Sequence, residues 1–272
     1  MPDKHLVRLH FSANAGNYDL YAHVQKKMAS TLMEFAGLAN PAEIDTPSAI
    51  LDVGSGTGYL TELLLERFPD VRVTAVDIAP GMIDLAKRKF SGRRIKFICA
   101  DAEEMILGEK YDLIASNASF QWFNDTQKTL EKLFSSLTDK GTMCFSTFGS
   151  QTFSELHQAY TKAMQNLKLE GHARPGQRFY TLDELQKICE PLVRPYREMK
   201  CVEEFEYIYF DSVKDFFTSV RKIGANNSNK EYIHKNPSLI KELINIYETD
   251  FREGDKIKVT YHCLYFVLRK SA

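Results

Sequence analysis

The chain has 272 residues, enough for one large core or for one core with inserted helices. With 44% apolar and 26% charged residues it reads as an ordinary globular sequence, and a formal charge of −1 gives no overall basic field for nucleic acid or an anionic membrane. Cys99, Cys144, Cys189, Cys201 and Cys263 are scattered with no Cys-x-x-Cys pair, which excludes a zinc ribbon or a disulfide framework as the organising device. No apolar run approaches the ~20 residues that span a bilayer, and the opening Met-Pro-Asp-Lys-His lacks a secretory core. A cytoplasmic monomer with no metal, no membrane partner and no nucleic acid is the expectation.

Residues 1–19 carry little regular periodicity. A helix is predicted from about Asp19 to Ala36, with Leu20, Val24, Met28, Leu32 and Phe35 on one face. Gly37 and Asn40-Pro41 stop it, and Pro41–Ser48 is a linker. Strands and helices then alternate: strand Ala49–Val53, helix Leu60–Phe68, strand Val71–Val76, helix Gly81–Phe90 and strand Ile95–Cys99. Strand Tyr111–Ser116, a helix at about Asp125–Leu137, a turn at Lys140-Gly141 and strand Thr142–Thr147 follow. Such alternation implies right-handed crossovers and a doubly wound, mostly parallel α/β sheet.

After Gly149 the rhythm changes. Helices are predicted at Phe153–Leu167 and Thr181–Cys189, the second opened by a Thr181/Glu184 capping box. Strand Met199–Phe210, helix Val213–Ile223, loop Asn226–Asn229, helix Pro237–Tyr247 and strand Val259–Arg269 complete seven strands. The expected organisation is one domain: an N-terminal lid over 1–38, a core over 39–150, helical cap insertions at about 151–195 and 211–254, and a last strand at 259–269.

The central motif is Asp52-Val-Gly54-Ser55-Gly56-Thr-Gly58, where a strand ends and a helix begins. Glycines there let the backbone turn sharply and let a ligand approach, and the helix N-terminus offers free N–H groups. Asp77 ends the second strand, where an acid takes ribose hydroxyls, and Asp101-Ala102 follows the third. The order G-x-G-x-G departs from the G-x-G-x-x-G of dinucleotide sites, which disfavours a nicotinamide dehydrogenase. Together these residues resemble the class I methyltransferases, Rossmann-like proteins that use S-adenosyl-L-methionine and release S-adenosyl-L-homocysteine. The resemblance implies that Gly54, Ser55, Gly56 and Gly58 wrap the methionine part, with Asp52 and Gln25 in the same site. It also implies that Asp77 holds the ribose, that Ile78, Met82, Asp101 and Ala102 surround the adenine, and that Asn117 lies near the sulfonium.

A second resemblance spans nearly the whole chain. His10-Phe-Ser-Ala-Asn-Ala-Gly-Asn-Tyr18-Asp19 with Ala22-x-x-Gln25, Ser116-Asn117-Ala-Ser-Phe-Gln121-Trp122 and Phe145-Ser-Thr-Phe-Gly149 resemble the malonyl-carrier-protein O-methyltransferases of biotin synthesis. So do Arg178-Phe-Tyr-Thr-Leu-Asp-Glu184, Arg221-Lys-Ile-Gly224-Ala225 and Thr260-Tyr-His262, with Ser55 departing from a frequent cysteine. This implies methylation of the free carboxylate of a malonyl thioester on acyl carrier protein or coenzyme A.

A carboxylate is ionised at neutral pH and needs no general base, which fits a sequence with no visible nucleophile–base constellation. Arg178 is the expected cation for the acid, with Tyr18, Gln121 and Trp122 shaping the other side. Arg174, Arg221 and Lys222, with Arg178, form the candidate patch for an acidic carrier. A methyltransferase for another acid or for a ring, and a non-catalytic S-adenosylmethionine-binding protein, remain the alternatives.

Overall fold

A computed structural model describes residues 1–39, 46–170, 175–194, 198–225 and 236–271. Arg174, the 226–229 loop and most of the 41–48 linker lie outside the described residues.

The chain opens with α1 (Lys4–Tyr21), capped by Asp3, whose carboxylate accepts from the N–H groups of His5 and Leu6. This corrects the reading of residues 1–19 as irregular. Val7, Phe11, Ala15 and Tyr18 repeat at helical spacing, but small or polar neighbours dilute the signal. A break at Ala22 separates α1 from α2 (His23–Phe35). The face of α2 therefore does not extend back to Leu20, which is 68% exposed, whereas Met28 and Leu32 are fully buried.

The strands then fall close to their predicted places. They are β1 (Ala49–Val53), β2 (Arg72–Asp77), β3 (Ile95–Cys99), β4 (Tyr111–Asn117) and β5 (Leu137–Phe148). Helices α3 (Tyr59–Arg67), α4 (Pro80–Lys89) and α5 (Thr126–Ser135) connect them. Next come α6 (Ser154–Asn166), α7 (Leu182–Cys189), β6 (Met199–Phe210), α8 (Val213–Lys222) and α9 (Pro237–Asp250). A two-residue β7 (Arg252–Glu253) turns back on β8 (Lys256–Arg269). The capping box at Thr181 and Glu184 is present. β5 begins earlier than the Lys140-Gly141 turn signal suggested. Lys140 takes φ +64° and the register to β4 slips between Tyr111 and Leu113, so the signal marks a bulge within the strand.

The sheet runs β3-β2-β1-β4-β5-β8-β6, with β7 added beside β8. β3 through β5 are parallel, and β8 is antiparallel to both β5 and β6. The strand order reverses between β1 and β4, so their carboxyl ends form the crevice where such folds take ligands. One face of the sheet is covered by α2, α3, α6, α8 and α9, with Leu32, Leu64, Ala159, Phe216 and Tyr247 in its core. The other carries α5 and α7 through Leu130, Leu133 and Leu185. The two helices of 151–195 thus lie on opposite faces.

Helix α1 lies across the strand ends, between α4 and α8. Both approach its backbone through glycine. A Cβ on Gly81 would meet the Ser12 carbonyl at 2.5 Å, and one on Gly224 would meet the His10 carbonyl at 2.8 Å. Among the described residues no helix is long and apolar enough to cross a membrane, and no cluster of His, Cys, Asp and Glu could hold a metal.

Candidate active site

The loop after β1 is held by its neighbours. The N–H groups of Gly54 and Ser55 donate to the Val76 carbonyl at 2.8 and 3.0 Å. Gly56 has φ +54° and open space where a Cβ would stand, so the loop surface there is bare backbone facing the crevice. Its N–H donates to Asp77 Oδ2 at 2.9 Å, and the Ala79 N–H donates to Oδ1 at 2.8 Å. Burial pushes the Asp77 carboxyl up to about 6 against these two bonds. Asp52 lies deeper, fully buried, taking a bond from Thr61 Oγ1 at 2.5 Å, and burial pushes it up to about 7. Among the described residues its Oδ1 and the Ser55 hydroxyl are buried without a partner. Unsatisfied polar atoms beneath a bare glycine loop fit a ligand with polar groups of its own.

A cleft of about 70 Å³ runs over this loop, lined by Gly54, Gly56, Asp77, Ile78, Met82, Asp101, Ala102 and Asn117 of the expected cofactor residues. Asp52, Ser55 and Gly58 sit behind its wall, and Gln25 faces the neighbouring cavity instead. Asn117 is fixed, donating from Nδ2 to the Gln25 carbonyl at 2.9 Å and accepting from Ser146 Oγ at 2.6 Å. Two residues that the sequence reading missed support the cleft. Lys4, on α1, reaches Asp101 at 3.3 Å and pairs with Glu103. Lys132 donates to the carbonyls of Ala102, Glu103 and Met105 at 2.5, 2.7 and 3.1 Å, which holds the turn that presents Asp101.

Beside the cleft is a cavity of about 350 Å³. Tyr18, Gln25, Gln121, Trp122 and Arg221 line it, among walls of Phe148, Phe153, Phe179, Phe216 and Phe217. Phe11, Tyr18, Ala118 and Trp122 line both spaces and so form their common wall. Trp122 meets Phe11 edge-on at 5.3 Å. Ala118 takes φ +49°, a costly conformation for a residue with a Cβ. Burial, with Asp77 and Asp19 nearby, raises the Tyr18 phenol far above its ordinary range, so it stays a neutral donor. Gln121 Nε2 donates to the Ala118 carbonyl at 2.5 Å, and its Oε1 accepts from Thr147 at 2.9 Å.

Arg178 does not join this group. Its side chain is 80% exposed, it pairs with Glu184, and it lines neither space. Glu184 faces it because the capping box fixes that carboxylate at the start of α7. Lys222 is half-buried beside Arg221 and outside the lining.

A methyltransferase-domain family model matches residues 50–141. The malonyl-acyl carrier protein O-methyltransferase of Acetivibrio thermocellus is 49% identical over all of this chain and 95% of its own length. That of Priestia megaterium is 46% identical over all of this chain and 99% of its own. The chain belongs to the malonyl-acyl carrier protein O-methyltransferase family. Among solved structures, the plantazolicin methyltransferase BpumL, in complex with a monoazolic desmethylPZN analog and SAH, superposes with a TM-score of 0.55 at 17% identity, covering 99% of this chain and 96% of that one. The YcgJ protein of Bacillus subtilis gives 0.59 at 15% identity, covering 90% and 99%. At these identities the likeness speaks for the fold alone. Membership in the O-methyltransferase family accounts for two adjoining spaces with a shared wall, since a transfer enzyme must bring two ligands edge to edge.

Proposed function

We propose that this chain methylates the free carboxylate of a malonyl group carried on acyl carrier protein, using S-adenosylmethionine, as a cytoplasmic monomer supplying the methyl ester from which a pimeloyl chain for biotin is built. The observation that carries the chemistry is the common wall of Phe11, Tyr18, Ala118 and Trp122. It contains no general base. Methylation at carbon or on a ring hydroxyl needs a proton removed, whereas a carboxylate arrives already ionised.

The residues present fit the methyl donor: bare backbone at Gly56 and the Asp77 carboxylate at the end of β2, both lining the cleft. Bound S-adenosylmethionine supplies an electrophilic methyl group on a sulfonium cation. Asp77 would accept hydrogen bonds from the ribose hydroxyls, and the Asp101–Ala102 turn, braced by Lys132, would border the adenine. Tyr18, Gln25 and Gln121 offer neutral polar contacts to the acid without the tight ion pair that would stabilise its ground state. The aromatic walls keep water away, and α1 acts as the lid over both ligands.

The decisive experiment incubates purified protein and labelled S-adenosylmethionine with malonyl-carrier protein, malonyl-coenzyme A and unrelated acids. The intact carrier should gain one methyl group as a base-labile ester. Absence of label from every malonyl thioester would sink the assignment.

A further inference from the structure

The residues lining the larger cavity sort by depth. Among the described lining residues only Gly176 and Arg221 are exposed, so these two mark the mouth. The floor is the wall shared with the cofactor cleft, and neither Lys nor Arg stands in it. Between floor and mouth the lining is mainly aromatic and aliphatic, including Phe153, Phe179, Phe217 and Val220, with Thr152, His157 and Gln177 among them. Among the described residues the cavity thus has no Lys or Arg at the reacting end, a mainly apolar length, and a cation at its opening.

Arg221 stands in the last turn of α8. Among the described residues no carboxylate pairs with its guanidinium, whereas Arg178 and Lys4 are both paired. Cations in a last helical turn complement the helix dipole, and Lys222 in the same turn does so as well. Arg221 differs from Lys222 in bordering the cavity.

Building on the methyl-ester reading above, we propose that Arg221 binds the phosphate of a phosphopantetheine arm whose thioester-linked acid lies at the floor. An acid reaching the floor leaves its carrier outside, and the connecting arm must thread the mouth. That arm has methylenes and a gem-dimethyl carbon, which suit aromatic walls, and a phosphate that must stay solvated or meet a cation. A guanidinium at an open mouth provides that cation without a buried charge to desolvate. Carrier protein and coenzyme A both present a phosphate at this place, so Arg221 reads a feature common to them, and the acid itself is read by neutral groups.

The test compares the wild type with Arg221→Ala and Arg221→Lys on three malonyl thioesters: carrier protein, coenzyme A, and N-acetylcysteamine, which has no phosphate. For Arg221→Ala, kcat/KM should fall about tenfold to a hundredfold on the two phosphate-bearing substrates, mostly in KM, as expected for loss of a charge-assisted hydrogen bond. On the N-acetylcysteamine thioester the loss should be under about twofold, and Arg221→Lys should restore most of the activity on the other two. An equal loss on all three substrates, or none on any, overturns the proposal. Melting temperature shows that the variants are folded. A wild type that methylates none of the three overturns the underlying reading instead, which is a separate result.

Discussion

Asp77 and Asp52 are neighbours at the ends of β2 and β1, and both are acids that burial makes reluctant to ionise. For Asp77 the consequence lies in binding. In the proposed site ribose hydroxyls would donate to its carboxylate, and that form is lost as the pH drops through about 6. Affinity for S-adenosylhomocysteine should accordingly be flat above pH 7 and weaken progressively below 6, as calorimetry at a series of pH values would show. Asp77→Asn should weaken it about tenfold to a hundredfold at pH 7.5 and remove most of that pH dependence. For Asp52 the consequence lies in stability. Its folded pKa, about 7, exceeds the ordinary 3.8, so between these values the folded chain holds a proton that the unfolded chain has released. Stability therefore falls as the pH rises across that window. Asp52→Asn removes the charge and should raise Tm at pH 8 by several degrees, with the gain vanishing toward pH 4. A gain of equal size at both ends would show that ionisation is not its cause.

Among the elements, α5 braces the site although none of its residues is among those lining either space. Lys132 reaches from its last turn to three carbonyls of the turn after β3. Lys132→Met leaves those carbonyls without their donor. It should raise the KM for S-adenosylmethionine about tenfold with kcat little changed, and Lys132→Arg should recover part of the loss. A fall in kcat alone would count against a positioning role. Nothing in the sequence marks this lysine, because its value depends on where the turn folds. The strands were legible for the opposite reason: continuous Val, Ile and Leu runs between turn residues read as buried parallel strands wherever they pack. The capping box announced α7 from four residues. Helix α1 was missed because only one narrow stripe of it is buried, with polar or small residues around the rest.

At the scale of the whole molecule, the cleft proposed for the cofactor was legible as a cluster because it is built from strand ends in chain order, a local pattern repeated at β1, β2 and β3. The cavity proposed for the acid was not. Its walls come from β5, α6, α8 and β8, and each phenylalanine alone is indistinguishable from ordinary core. Arg178, expected at the acid, points away from the cavity because Glu184 claims its guanidinium, while Arg221, expected only at the carrier, borders it; side-chain direction is not encoded in the sequence.

The grip of α4 and α8 on α1 closes the structure. A side chain at either glycine must push the helix away, so Gly81→Val and Gly224→Val should each loosen α1 while leaving the sheet intact. Faster amide exchange confined to residues 4–21, together with reduced turnover, is the expected signature. Because the same helix borders both spaces, ordering it for one ligand prepares it for the other, and the two occupancies become linked quantities. Whatever factor S-adenosylhomocysteine adds to the affinity for malonyl thioester, the thioester must return to S-adenosylhomocysteine. Titrating each ligand with and without the other would measure that factor twice, and in the glycine variants it should shrink toward one.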